Sequence, residues 1–564
     1  MAFNHFVYER PQFGHYKTAF EELLKQFKDA PSIDVQETAM KALNDLRNTF
    51  DTMKNLVYVR HTIDTNDDFY KEEQAYLDEV SPEFEELDAA FYQALIASPY
   101  RKELEEKWGK TLFLLAETKI KTLSPEIIQD LQVENKLISE YTQLIASAKI
   151  PWNGEELTIA QLAPYKQSTD RAVRKNAVEA IFSFMSDHRS ELDSIYDQLV
   201  KIRTRMAVKL GFESFVELGY YRMNRLDYNA DMVAVFRKQV QEYIVPLATE
   251  LRKRQEKRIG VDSLKFYDES LDFQSGNAEP KGDAHWIIQQ GMDMYKELSH
   301  ETGEFYTYMM DNGLMDLVAK KGKAGGGYCT YFFDYKAPFI FSNFNGTSDD
   351  IDVLTHEAGH AFQVYESRHF KLPEYIWPTM EACEIHSMSM EFFTWPWMGK
   401  FFGENEEKYK FAHLSSALLF LPYGVAVDEF QHYVYSNPKA TPEERNQAWK
   451  IIEKKYLPHR DYEGNEYLES GAIWQLQSHI YTTPFYYIDY TLAQICAFQF
   501  WKRSRDKYSE AWTDYLKLCR EGGSKTFLEL VEVAHLTSPF EENGVKSVVD
   551  EITKYLRSVD DQSL

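Results

Sequence analysis

Five residues constrain this chain more than any others: His356-Glu357-Ala358-Gly359-His360. Two histidines four apart share a surface on an α-helix, where i and i+4 lie on one face. On such a helix both imidazoles can hold one metal ion. Glu357, one step round, then points beside the metal toward a bound water. The preceding residues Asp349–Thr355 are compatible with that helix. Gly359 stands inside it at a cost of about 1 kcal/mol against alanine. A glycine in that position has a packing or functional reason, such as close approach of another backbone. The constellation is the machinery of metal-assisted peptide hydrolysis.

A catalytic zinc needs three protein ligands and one open position for water. The acidic helical stretch Met380–His386 offers the third, with Glu381, Cys383, Glu384 and His386 as candidates. A carboxylate is the usual choice beside two histidines. Glu381 and Glu384 share a helical face, so the residues alone leave both open.

At 564 residues the chain is too long for one compact core and predicts two or more subdomains. A net charge of −26 argues against binding nucleic acid or an anionic membrane through the overall field. The one basic run, Arg252–Arg258, is expected to be a solvated helix face. Met1–Pro11 has no secretory-signal pattern, and the most apolar stretch, Ala412–Val427, falls short of a membrane span. Four cysteines without paired spacing (Cys329, Cys383, Cys496 and Cys519) predict free thiols in a reducing, cytoplasmic setting.

Helical periodicity dominates. Ala39, Leu43, Leu46, Phe50 and Met53 step by four and three, and amphipathic segments continue through 70–106 and 125–147. Pro151-Trp152-Asn153-Gly154 predicts a turn, after which Thr158–Leu162 resumes helix. The expected division is an N-terminal helical region over 1–165, its boundary between 110 and 200, and a catalytic region over 166–564. Lys320–Thr330 is a glycine-rich loop without the Walker pattern, which argues against a phosphate site. Ala337–Phe344 predicts a short strand closed by Asn345-Gly346. It serves either as an edge holding an extended peptide, with Phe339–Phe344 as the pairing segment, or as an internal strand of a small sheet.

Glu384-Ile385-His386-Ser387-Met388-Ser389-Met390-Glu391 resembles the E-x-x-S-x-x-x-E signature of the thimet oligopeptidase/oligoendopeptidase F family. Asn345-Gly346-Thr347, Asp350 and the H-E-x-G-H pentapeptide resemble that family's approach to its zinc helix. The resemblance covers roughly residues 165–550 and is nearest to bacterial oligoendopeptidase F-like and Pz-peptidase-like members. It implies that Glu384 is the third zinc ligand beside His356 and His360, with Glu391 supporting the site. Asp352 is a candidate acceptor for a ligand histidine's other N–H. His479 and the segment Pro484–Tyr490 resemble the family's histidine and paired tyrosines. This implies catalytic roles for His479, Tyr486 and Tyr490, with Tyr487 as the alternative to Tyr486.

The implied protein is mostly α: a two-lobed helical zinc peptidase with a deep substrate channel and a small β-sheet beside the H-E-x-x-H helix. It would bind one Zn²⁺ per chain. It would hydrolyse internal bonds of short unfolded peptides, with Glu357 as general base. A peptidyl-dipeptidase or carboxypeptidase using the same site is the alternative. That would need a cationic anchor for the substrate carboxylate, which the sequence does not name. Cobalt or manganese could stand in for zinc, and the oligomeric state is not legible.

Overall fold

The structure, a computed structural model, describes residues 1–320 and 322–564; Lys321 of the glycine-rich loop lies outside them. Helices make up most of the chain, and two small sheets interrupt them. Ser32 caps the helix Ile33–Ile63, its hydroxyl accepting from the Val35 N–H. The predicted stripe Ala39, Leu43 and Phe50 is buried along it. With helices Phe13–Lys28, Asp68–Ile96 and Thr111–Thr122, this helix encloses a core around Phe20, Phe27, Phe84 and Leu95. Leu372 and Tyr375, far along the chain, complete that core. A second and larger core surrounds the helices of the metal motif.

The turn at Pro151–Gly154 joins two three-residue strands, Ile150–Trp152 and Glu155–Leu157, as an antiparallel hairpin. Asn153 and Gly154 have φ of 50° and 89°, the positive pair that a two-residue hairpin turn requires. The strands are too short for a periodic pattern to reveal them.

In the second sheet, Ala337–Phe344 is the central strand. It runs parallel to Met315–Val318 and antiparallel to Tyr328–Phe332. Phe339–Phe344 is therefore not a free edge. Its nearly continuous burial is the mark of a strand covered on both faces. The two edges are Met315–Val318 and Tyr328–Phe332, and the second of these is the one beside Glu357. Helix Ile33–Ile63 runs along Tyr328–Phe332, Asn55 Nδ2 donating to the Tyr331 carbonyl at 2.9 Å and Thr62 Oγ1 lying 2.5 Å from the Tyr328 hydroxyl.

The basic run is also placed differently from expectation. Arg254 and Arg258 pair with Asp561 at 2.7 and 2.6 Å, and Arg252 pairs with Glu269 at 3.3 Å. Only Lys253 and Lys257 of the run's cations are exposed. The carboxylate partners lie outside the local window, so nothing near the run signals the pairing. All four cysteines are free. The stretch Met380–Ser436 contains a window apolar enough to cross a membrane, and 67% of that window is buried in the fold as core.

Helix Ile128–Ala146 is tied to the catalytic region by a buried charge cluster. Arg203 donates to Glu134 at 2.6 Å, to the Tyr435 hydroxyl at 2.9 Å and to the Tyr481 carbonyl at 2.5 Å. Arg222 adds a second contact to Glu134 at 2.9 Å. Burial works to raise the Glu134 pKa, but Arg222 and Arg203 outweigh it and hold the carboxyl at about 2. Its stabilising contribution is therefore present above about 4.5 and lost as pH falls toward 2. Glu134→Gln should cost about 3–5 kcal/mol at pH 7, because two arginines lose their counter-charge. Urea unfolding should show that gap closing below pH 4.5; a pH-independent gap would contradict this account.

Candidate active site

The strand Ala337–Phe344 delivers the chain to a turn at Asn345-Gly346. There the Asp350 carboxylate accepts both backbone N–H groups at 2.8 Å. Gly346 has φ 90°, which a side chain would strain. Asp350 thereby starts the helix Asp349–Ser367 that carries the pentapeptide. The next long helix of the site, Met380–Phe393, crosses it at Gly359. A Cβ on Gly359 would lie 2.7 Å from Ser387 Cα and 2.8 Å from the His386 carbonyl oxygen. The glycine is the point of backbone approach that its helical position foreshadows.

That contact brings Glu384 to the histidines. Its Oε2 lies 3.3 Å from His356 Nε2 and 3.5 Å from His360 Nε2. The donor atoms of His356, His360 and Glu384 all fall within 4.8 Å of one another, a spacing that could hold a metal ion. Ser387 Oγ and Tyr486 OH donate to the two Glu384 oxygens at 3.0 and 2.7 Å. Glu381, on the same helix, points elsewhere. It is buried, and burial together with Asp489 pushes its pKa up. His386 is buried too, its Nδ1 2.7 Å from the Ala382 carbonyl, and burial holds its pKa down at about 4.

A chain of hydrogen bonds sets the tautomer of His356. Trp395 Nε1, a donor only, reaches His413 Nδ1 at 3.1 Å, so the His413 proton sits on Nε2. That N–H meets Glu391 Oε2 at 2.8 Å, and Glu391 Oε1 lies 2.7 Å from His356 Nδ1. The Glu391 carboxylate thus takes the Nδ1 proton of His356 as its partner, leaving the Nε2 lone pair for a metal. Asp352 does not serve here. It accepts from the Tyr409 hydroxyl, and burial pushes its pKa up to about 7.

Glu357 is buried beside the donor set, and its Oε2 has no hydrogen-bond partner among the described residues. Burial raises its pKa against the pull of His356 and His360. The edge strand begins next to it, since a Cβ on Gly327 would lie 3.4 Å from Glu357 Oε1. His479, Tyr486 and Tyr490 gather opposite, the two tyrosine rings 4.8 Å apart and His479 within 6 Å of both. Tyr487 joins the same group, its ring 5.0 Å from His479 and 5.7 Å from Tyr490, and also packs against Phe420 and Tyr423; what sets Tyr486 apart is its hydroxyl on Glu384. Tyr423 OH donates to Gln477 Oε1 at 3.0 Å, and Gln477 Nε2 lies 2.8 Å from His479 Nδ1. Gln477 therefore donates to Nδ1 and leaves the His479 proton on Nε2. A cavity of about 730 Å³ adjoins this wall, lined by Asp352, Glu391, His413, His479 and Tyr490 among others. His413, Trp395 and Gln477 carry no local motif, so no sequence pattern points to them.

A histidine pair on one helix, a carboxylate from the next and a tyrosine wall define the class of helical H-E-x-x-H peptidases. Residues 3–123 match the peptidase M3 N-terminal domain and residues 164–549 match peptidase family M3. The chain belongs to peptidase family M3. It is 21% identical over 420 residues to oligopeptidase PepF of Bacillus subtilis strain 168, covering 69% of this chain. It is 24% identical over 212 residues, 36% of this chain, to group B oligopeptidase PepB of Streptococcus agalactiae serotype III. The chain spans 58% and 33% of the lengths of those two relatives. The solved structure of Pz peptidase A with an inhibitor superposes with a TM-score of 0.97 at 65% identity, over 99% of this chain and all of that one.

Gly359→Ala should prise the two helices apart and destabilise the fold by about 1–3 kcal/mol. It should also weaken metal binding, as read by calorimetric melting and metal titration. Undiminished metal affinity would show that the contact does not set the donor spacing. Glu384→Ala should lower metal content far more than Glu381→Ala or His386→Ala. Loss of metal from Glu381→Ala instead would move the third ligand to that residue.

Proposed function

We propose that this chain is a zinc-dependent oligopeptidase that cuts internal bonds of short, unfolded peptides. The observation that carries it is the His356, His360 and Glu384 donor set with Glu357 buried and unpartnered beside it. The donors fit zinc: two imidazole nitrogens and one carboxylate leave a coordination position free for water. His356, His360 and Glu384 would hold the ion, which when bound would polarise the scissile carbonyl and acidify water.

The protein's own groups would do the rest. Glu357 accepts a proton from the attacking water and delivers it to the departing amine, so that hydroxide ends on the carbonyl carbon and the proton on nitrogen. Its burial favours this role by raising its proton affinity toward neutral pH. Attack places negative charge on the carbonyl oxygen; Tyr490 and the Nε2–H of His479 are donors available to it, and Tyr486 becomes one when its hydroxyl turns from Glu384 to the oxyanion. Burial lowers the His479 pKa, which keeps the ring neutral near pH 7.

The edge at Tyr328–Thr330 would hold substrate extended past Glu357 by main-chain hydrogen bonds. An extended peptide advances roughly 3.3 Å per residue. Peptides of about five to twenty residues would therefore pair with the edge and reach the cavity, whereas a folded protein could not thread in.

Digestion of a peptide length series, read by mass spectrometry, tests the assignment. Internal cleavage of short peptides should dominate, casein should survive, and a chelator should abolish turnover. Glu357→Gln should retain zinc and lose on the order of 10²–10⁴-fold in kcat. Trimming of single terminal residues only, or efficient cleavage of casein, would overturn the oligopeptidase assignment.

A further inference from the structure

Phe485 is a bulky, fully buried residue with φ 68°, in the left-handed region that side chains rarely occupy. It immediately precedes Tyr486, whose hydroxyl rests on Glu384. Such a conformation persists only where the surroundings over-determine it, and it is most often found at functional sites. Here the surroundings grip it from three sides.

The Phe485 carbonyl accepts from Arg225 Nη2, and the Phe485 N–H donates to Gln431 Oε1 at 2.8 Å. The same Arg225 nitrogen lies 3.0 Å from Asp489 Oδ1, one turn into the helix that also carries Tyr490. Arg225 and Asp489 have fully buried side chains, and the guanidinium stacks 4.2 Å from the centroid of Tyr220. The Phe485 ring fills the space left by Gly219, where a Cβ would lie 2.6 Å from its Cδ2.

We propose that Arg225, Gln431 and Gly219 form a clamp that holds the Phe485 peptide in its strained conformation and thereby aims Tyr486 and Tyr490 at the catalytic centre. Arg225 is a positioning residue, since it acts through the tyrosines. The role suits arginine: while Nη2 bridges the carbonyl and the carboxylate, the guanidinium plane stacks on Tyr220, and a lysine ammonium has no such plane. The clamp extends the proposed oligopeptidase mechanism and rests on it.

A double-mutant cycle between Arg225→Lys and Tyr486→Phe tests the clamp, with zinc content and thermal unfolding measured on each variant. Arg225→Lys should lower kcat on the order of 10²-fold, as misplacement of a reacting group does, with KM and zinc content unchanged. In the Tyr486→Phe background it should cost far less, only what the misplaced Tyr490 still contributes. Gly219→Ala displaces the same ring and should show the same non-additivity, which keeps the test open if Arg225→Lys does not fold. Additive losses, or an impaired Tyr486→Phe beside a fully active Arg225→Lys or Gly219→Ala, would overturn the clamp alone. Full activity in Tyr486→Phe would overturn the role of Tyr486 as well.

Discussion

The backbone contact at Gly359 is the constraint on which the site depends. The helix Asp349–Ser367 presents two imidazoles but no third donor, and Met380–Phe393 presents a carboxylate but no histidine in reach of it. Their donor atoms meet only because the helices touch where one of them lacks a side chain. Close packing of this kind leaves little freedom, since interiors are as dense as organic crystals and transmit small displacements. A shift of one helix would open all the distances around Glu384 together.

The connection between these helices is held by the N-terminal bundle. Tyr375 sits in that bundle's core, its hydroxyl donating to the Trp108 carbonyl at 2.5 Å and accepting from the Leu112 N–H at 3.2 Å. Glu374 accepts from Arg47 at 2.8 Å and from Tyr92 at 2.7 Å. The bundle therefore does more than flank the site. It fixes the loop that determines how the carboxylate helix approaches the histidine helix.

Around the donors the structure arranges hydrogen-bonded rings and compensated charges. Two relays with the same logic run from donor-only or assigned groups to histidines. Trp395 acts on His356 through His413 and Glu391, and Tyr423 acts on His479 through Gln477. One leaves a ring lone pair free within the donor cluster, and the other leaves an N–H free at the wall of the cavity. Opposite outcomes at the two histidines follow from which ring nitrogen each relay occupies.

Much of the site was legible in the sequence because helical periodicity is local. The i, i+4 histidines, Glu357 between them, the demand for a close neighbour at Gly359 and the strand Ala337–Phe344 all follow from spacings of a few residues. Helical spacing by itself left Glu381 and Glu384 open and the resemblance over Glu384–Glu391 favoured Glu384; in the packed chain Glu384 is the carboxylate that lies beside both imidazoles. Tertiary structure alone decided that Ala337–Phe344 is central and Tyr328–Phe332 an edge, since pairing partners leave no mark in a strand's own residues. It also turned Arg254 and Arg258 inward onto Asp561, replaced Asp352 by Glu391 behind His356, and recruited His413, Gln477 and Arg225. Those contacts join residues tens to hundreds of positions apart. Side-chain identity limits what each can bond to, but only the packed chain determines which of the possible partners arrives.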